Sequence, residues 1–176
     1  MTKLIIWDID GTLANQDHRA TKHLCTAPWD CNSPDDPIYK DDPDWDAYYE
    51  DCHDDVPYDD IIWMFNALVS SPYAHSFGKD KPVKHCFMTG RPEKYRAKTR
   101  EWLRHWVTPG ADSDAFPLFM RPDDDHRPDH DVKVAHLTRL EAQGYIPFIA
   151  FEDRNSVVSS WRRNGVRCVQ VQGGNF

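Results

Sequence analysis

Leu4, Ile5, Ile6 and Trp7 form an unbroken apolar run that stops on Asp8. A run this short, apolar at consecutive positions, predicts a fully buried strand over residues 3–8. Comparable runs recur in VKHCFMTG (83–90), AFPLFM (115–120), IPFIAFED (146–153) and VRCVQV (166–171). Between them the pattern changes to helical spacing. Ile61, Ile62, Phe65, Leu68 and Val69 share one side of a helix with Pro57 near its start. Tyr95, Thr99, Trp102, Leu103 and Trp106 recur at intervals of three and four over residues 93–107. Residues 130–143 predict another helix, ended by Gly144, and NSVVSSWRRNG one ended by Gly165. Strands that alternate with helices predict an α/β fold, a parallel sheet flanked by helices on both faces.

Residues 14–55 break this pattern. They are rich in proline and aspartate, show little periodicity and carry Trp29, Trp45, Tyr48 and Tyr49. Such a segment is too long for a simple loop and too aromatic for a disordered linker. Residues 14–60 are therefore expected to form an acidic, aromatic cap inserted after the first strand, with 1–13 and 61–176 making the core. The cap aromatics are read as its small core, with stacking on a nucleic-acid base as the alternative. Cys25, Cys31, Cys52, His23 and His53 fit none of the familiar zinc-ligand spacings and are read as buried or idle.

Composition narrows the function classes. The 176 residues are 40% hydrophobic, which describes a globular domain. The net charge of −8 opposes a broad grip on a nucleic-acid backbone. Lys94, Arg96, Lys98, Arg100 and Arg104 nevertheless make the helix over 93–107 locally basic. Beside Arg91, that face is expected at the mouth of the crevice, where it favours nucleic-acid or nucleotide phosphate. No apolar run approaches the ~18–20 residues of a membrane span. MTKLIIWDID lacks the features of a signal peptide, and five irregularly spaced cysteines read as reduced thiols. A cytoplasmic protein with no membrane partner is expected.

The chemistry gathers where strands end. Asp8 and Asp10 follow the first, Thr89 and Arg91 the second, Glu152 and Asp153 the fourth. In an open parallel sheet those ends line the ligand crevice. Asp8, Asp10, Glu152 and Asp153 together would repel unless a cation relieved them, and an oxygen-only set points to Mg²⁺. Asp8 suits attack on phosphorus, and Asp10 suits protonation of the leaving group and activation of water. The Asp10 backbone carbonyl is a further candidate metal ligand. Gly11 permits the turn between the two aspartates and the rest of the site. Thr89 offers a hydroxyl and an N–H to phosphoryl oxygens, and Lys133, in a first helical turn, would hold nucleophile and phosphoryl group together. Thr12 and Gly90, beside these motifs, are counted with the substrate-binding residues.

These residues resemble the haloacid dehalogenase (HAD) superfamily of phosphatases: DIDGT its first motif, Thr89 in MTGR its second, Lys133 its third and FEDR its fourth. The resemblance implies a Rossmann-like core, Mg²⁺ and a phosphoaspartate on Asp8. TGRPEKYRAKTREWL, Met120–Arg121 with HRPDHDVK, and FEDRNSVVSSWRRNGVRCVQVQGGNF more closely resemble the 3′-phosphatase domain of bacteriophage polynucleotide kinase–phosphatase. That resemblance implies that Arg91, Arg121 and Arg127 engage the substrate phosphate, with Arg154 placed after the acidic pair. No G-x-x-x-x-G-K-[ST] loop occurs in the sequence, so kinase activity is not expected. The long acidic segment departs from that domain and puts the substrate in question. A Mg²⁺-dependent phosphatase for nucleic-acid 3′-phosphate ends is the leading expectation. A 5′-mononucleotidase of the same fold is the second, and a non-catalytic end- or metal-binding module the third.

Overall fold

The computed structural model describes residues 1–26, 39–71, 83–112 and 115–174. Trp29 and Cys31, named above, and the terminal Asn175–Phe176 lie outside them. In chain order the elements are β1 (Thr2–Trp7), β2 (Ala14–Asn15), α1 (Asp17–Arg19), α2 (Trp45–Glu50), β3 (Val56–Pro57), α3 (Asp59–Val69) and β4 (Lys84–Pro92). There follow α4 (Arg96–Trp106), β5 (Leu118–Arg121), α5 (Asp129–Ala142), β6 (Tyr145–Arg154), α6 (Asn155–Arg163) and β7 (Arg167–Gly174).

Five strands pair in the order β5-β4-β1-β6-β7, every neighbour parallel, so the expected α/β sheet is present. Side chains alternate across it. Leu4 and Ile6 pack with Leu137 and Leu140 of α5 and Val157 and Trp161 of α6. Ile5 and Trp7 pack with Phe65 of α3 and Trp102 and Leu103 of α4. Trp7 lies flat on Phe151, centroids 3.9 Å apart, and its indole N–H donates to His85 Nδ1 at 3.1 Å. Each large apolar side chain buried this way contributes about 1.5–3 kcal/mol. Gly144 and Gly165 end α5 and α6 at φ of +84° and +79°, as a left-handed helix stop requires.

Strand boundaries differ from expectation most at β4, β5 and β7, the last of which runs on to Gly174. β4 does not stop at Gly90 but continues to Pro92, with a register break against β5 between Met88 and Pro92. The bulge lets Thr89–Arg91 turn towards the site while the strand goes on. β5 begins later than expected, at Leu118.

The segment between β1 and α3 leaves and re-enters the core at one place, where Ala14 pairs with Pro57 and Asn15 with Val56. It has its own apolar cluster of Ala20, Leu24, Cys25 and Tyr48. The aromatics divide: Tyr48 is buried, whereas Trp45 and Tyr39 are 44% and 39% exposed. Trp45 therefore does not belong to the small core that the sequence led us to expect. Two lysines of the basic stretch over residues 93–107 have acidic partners on α2. Lys94 Nζ meets Asp46 Oδ1 at 2.7 Å, Tyr95 hydroxyl donates to the Asp46 carbonyl at 3.2 Å, and Lys98 pairs with Glu50. Those two lysines tie α2 to the core through exposed ion pairs.

Candidate active site

At the carboxyl ends of β1 and β6 the parallel register sets Trp7 beside Phe151, and Asp8 N–H donates to the Phe151 carbonyl at 3.1 Å. One step further, Asp8 stands beside Glu152 and Asp153, with carboxylate oxygens of all three within 4.8 Å of one another. All three are buried. Lys133, one turn into α5 and not in its first turn as expected, donates to Asp8 Oδ1 at 2.6 Å and Glu152 Oε2 at 2.8 Å, and its Nζ lies 3.2 Å from Asp129 Oδ2. Burial pushes the Asp8 carboxyl well above its usual range, Glu152 pushes it further, and Lys133 opposes both. Asp153 is raised in the same way, by burial first and then by Glu152 and Asp8. Lys133 is held well above its ordinary value: burial opposes its charge, but Asp129, Asp8 and Glu152 outweigh it.

Asp153 Oδ2 is buried with no hydrogen-bond partner among the described residues. It rests on the backbone of Gly11, where φ is +78° and a Cβ would fall 1.9 Å from that oxygen. A left-handed conformation and this close approach both require glycine there. An orphaned carboxylate oxygen within an all-oxygen donor set fits a hard divalent cation.

Asp10 belongs to a different group. Its carboxylate lies on Arg91, whose Nε donates to both oxygens at 3.0 Å, and on Arg19 Nη2. Both arginines also hold Asp55, Arg91 Nη2 at 2.7 Å and Arg19 Nε at 2.6 Å. Burial would raise the Asp10 carboxyl, but the Arg91 and Arg19 guanidiniums outweigh it and hold it well below the usual range. Asp55, by contrast, is raised by burial despite the same two guanidiniums. Trp102 Nε1 donates to the Asp55 carbonyl at 2.8 Å, and the Arg19 guanidinium sits 4.1 Å over the Tyr48 ring. Two expectations change. The Asp10 side chain is not with the carboxylates of the metal cluster, because the arginines take it. Arg91 has no exposed surface and is not at the crevice mouth, because Asp10 and Asp55 draw it inward.

Thr89 is also fully buried; its hydroxyl donates to Asp10 Oδ2 at 3.4 Å and accepts from Arg91 N–H at 3.2 Å. It stands in the bulged end of β4, not at a helix start. The Thr12 hydroxyl is buried with no partner among the described residues. Arg121 braces the loop before α5, donating to the carbonyls of Gly90 at 3.0 Å and Asp125 at 3.0 Å and to Asp129 Oδ1 at 3.3 Å. Arg127 is forked onto Asp125 at 2.9 and 2.6 Å. Gly90, Arg121, Arg127 and Arg154 line, with Asp8, Lys133, Glu152 and Asp153, one cleft of about 650 Å³. Asp129 was not foreseen. It touches Lys133 and Arg121 and packs where a Cβ on Gly90 would meet it at 2.5 Å. Its position four residues before Lys133 on a helix was the available signal. Asp55 was missed as well. Arg19 was missed too, since nothing local ties it to Asp10.

A family model described as the polynucleotide kinase PNKP phosphatase domain matches residues 44–176. Asp8 and Asp10 precede that stretch, so their place in the site rests on the geometry above. Among solved structures, a chain of the Pnkp1/Rnl/Hen1 RNA repair complex matches with a TM-score of 0.65 at 21% identity, covering 100% of this chain and 44% of that one. A predicted phosphatase from Clostridium acetobutylicum matches at 0.59 and 17% identity, with coverages of 99% and 86%. L-2-haloacid dehalogenase from Xanthobacter autotrophicus matches at 0.54 and 11% identity, with coverages of 97% and 78%. At these identities the likeness is one of fold, the Rossmann-like HAD core. This chain spans less than half the length of the repair-complex chain. Among the described residues no helix is long and apolar enough to cross a membrane.

Proposed function

The chain belongs to the family of the polynucleotide kinase PNKP phosphatase domain, and on that premise we propose that it removes the phosphate from 3′-phosphate ends of nucleic acid through an aspartyl-phosphate on Asp8. The observation that carries this reading is the buried contact of Lys133 with Asp8 and Glu152 at the sheet edge, beside the partnerless Asp153 oxygen. Asp8, Glu152 and Asp153 are the residues that would hold Mg²⁺, which supplies charge neutralisation to phosphoryl oxygens.

In the first half-reaction an Asp8 oxygen bonds to phosphorus, the bond from phosphorus to the 3′-oxygen breaks, and that oxygen takes a proton from Asp10. In the second, Asp10 takes a proton from water, the water oxygen bonds to phosphorus, and inorganic phosphate leaves with Asp8 restored. Arg91 and Arg19 fix the orientation of the Asp10 carboxylate towards the site and oppose its protonation. Arg121, Arg127 and Arg154 line the cleft and are assigned to the substrate phosphates. Residues 14–60 act as a cap over it. We place the protein in the cytoplasm.

A 5′-mononucleotidase is the second reading, favoured by the −8 charge, since a long polyanion is repelled. Phosphate release from a 3′-phosphorylated oligonucleotide, compared with release from deoxynucleoside 5′-monophosphates, separates the two. Faster release from the monophosphates would replace the first reading with the second. Absence of Mg²⁺-dependent hydrolysis of any phosphate ester would leave the non-catalytic module.

A further inference from the structure

Trp45 is a large aromatic side chain with nearly half its surface in water, on a helix whose position is fixed. Asp44 caps α2 by accepting from Ala47 N–H at 2.9 Å, and Lys94 and Lys98 tie the helix to the core. Trp45 stands between Tyr39, with ring centroids 6.1 Å apart and planes at 38°, and Tyr49, at 6.2 Å and 30°. Tyr48 supports it edge-on from below at 5.7 Å and 83°. The rings thus make a firm, roughly continuous wall. The same cleft that ends at Asp8 and Lys133 is lined by this wall. Burial, with Asp10 next, pushes the Tyr49 phenol up to about 12, so it adds no charge to the wall near neutral pH.

We propose that this wall is the subsite on which the nucleobase of the phosphate-bearing terminal nucleotide stacks. The inference deepens the preceding proposal and rests on it. A cleft that sets Lys133, Arg121, Arg127 and Arg154 beside the carboxylates of a candidate metal site, with an aromatic side, suits a ligand with a phosphate end and a flat ring, which describes a nucleotide. A base stacked there is unpaired, so a single-stranded or frayed end is preferred to a blunt duplex end.

The test compares wild type, Trp45→Ala and Trp45→Phe on three substrates: a single-stranded 3′-phosphorylated oligonucleotide, the same strand with an abasic terminal residue, and glycerol 2-phosphate. Trp45→Ala is expected to lower kcat/KM on the first by roughly ten- to hundred-fold, mainly through KM. The loss is confined to the substrate carrying a terminal base, and Trp45→Phe restores most of it. An equal loss on all three substrates, or no loss on the first, would overturn the stacking subsite while leaving 3′-phosphatase activity standing. A wild-type protein that cleaves glycerol 2-phosphate but no nucleotide end would overturn the underlying reading, and the subsite with it.

Discussion

Two groups of buried charge lie side by side in this protein, and they are built on opposite principles. Around Asp10 two guanidiniums face two carboxylates, Arg19 and Arg91 against Asp10 and Asp55, each bound to both partners of opposite sign. Around Asp8 a single ammonium, Lys133, touches Asp8, Glu152 and Asp129, and Asp153 adds a further carboxylate. The first group is closed; its charges answer one another and fix orientation. The second is left short of positive charge, and at its centre burial and neighbouring carboxylates push Asp8 and Asp153 up. Buried charge that balances does structural work, whereas buried charge that does not balance calls for a ligand.

The sharpest way to separate the groups is to remove one carboxylate from each. Asp8→Asn takes the proposed nucleophile but also relieves repulsion, so on that proposal turnover should fall roughly a thousand-fold or more. Its thermal midpoint should stay level or rise; retained turnover would end the aspartyl-phosphate mechanism. Asp55→Ala unbalances the closed group and strands guanidinium charge in the interior. Urea denaturation should register a loss of about 3–5 kcal/mol. A loss under 1 kcal/mol would mean that the arginines find other partners.

Divalent cation should act on one group alone. Saturating Mg²⁺, at a hundred times its dissociation constant, is expected to stabilise the wild type by about 2.7 kcal/mol. Asp153→Asn should abolish most of that shift in a calorimetric scan, whereas loss of Asp55 should not. A third way of burying a polar group is neutrality, and its effect appears only in acid. Burial pulls His85 down to about 4, and its Nδ1 accepts from Trp7. Below the unfolded value of about 6.5 the unfolded chain takes up a proton that the folded one refuses. Stability should therefore fall as pH drops from about 6.5 to about 4, by up to about 1.4 kcal/mol per unit. Denaturation curves of His85→Gln should lack that component.

What was legible in the sequence follows from distance along the chain. The strands and helices could be read because their periods are local, and Asp8, Glu152 and Asp153 because each sits where an apolar run ends. Thr89 and Lys133 followed from their neighbours. The closed group was hidden because Arg19 and Asp55 are 36 residues apart and meet only after the inserted segment folds. Arg91 next to a motif glycine reads as phosphate-facing; only the structure shows two carboxylates behind it. Lys94 and Lys98 read as a solvated or DNA-tracking stripe because their acidic partners lie 48 residues earlier. Trp45 and Tyr48, three residues apart, cannot be divided into exposed and buried by composition alone.

The antiparallel neck, Ala14 against Pro57, makes the inserted segment exchangeable. Its two ends are already side by side, so grafting a longer or shorter insert changes the closure cost by only about 0.6 kcal/mol per doubling of length. A foreign segment can thus be spliced onto an unaltered sheet and its flanking helices. The exchange carries one condition: the graft must bring an arginine and an aspartate to the places of Arg19 and Asp55. A segment without them would leave Arg91 half-answered and Asp10 held by one guanidinium in place of two.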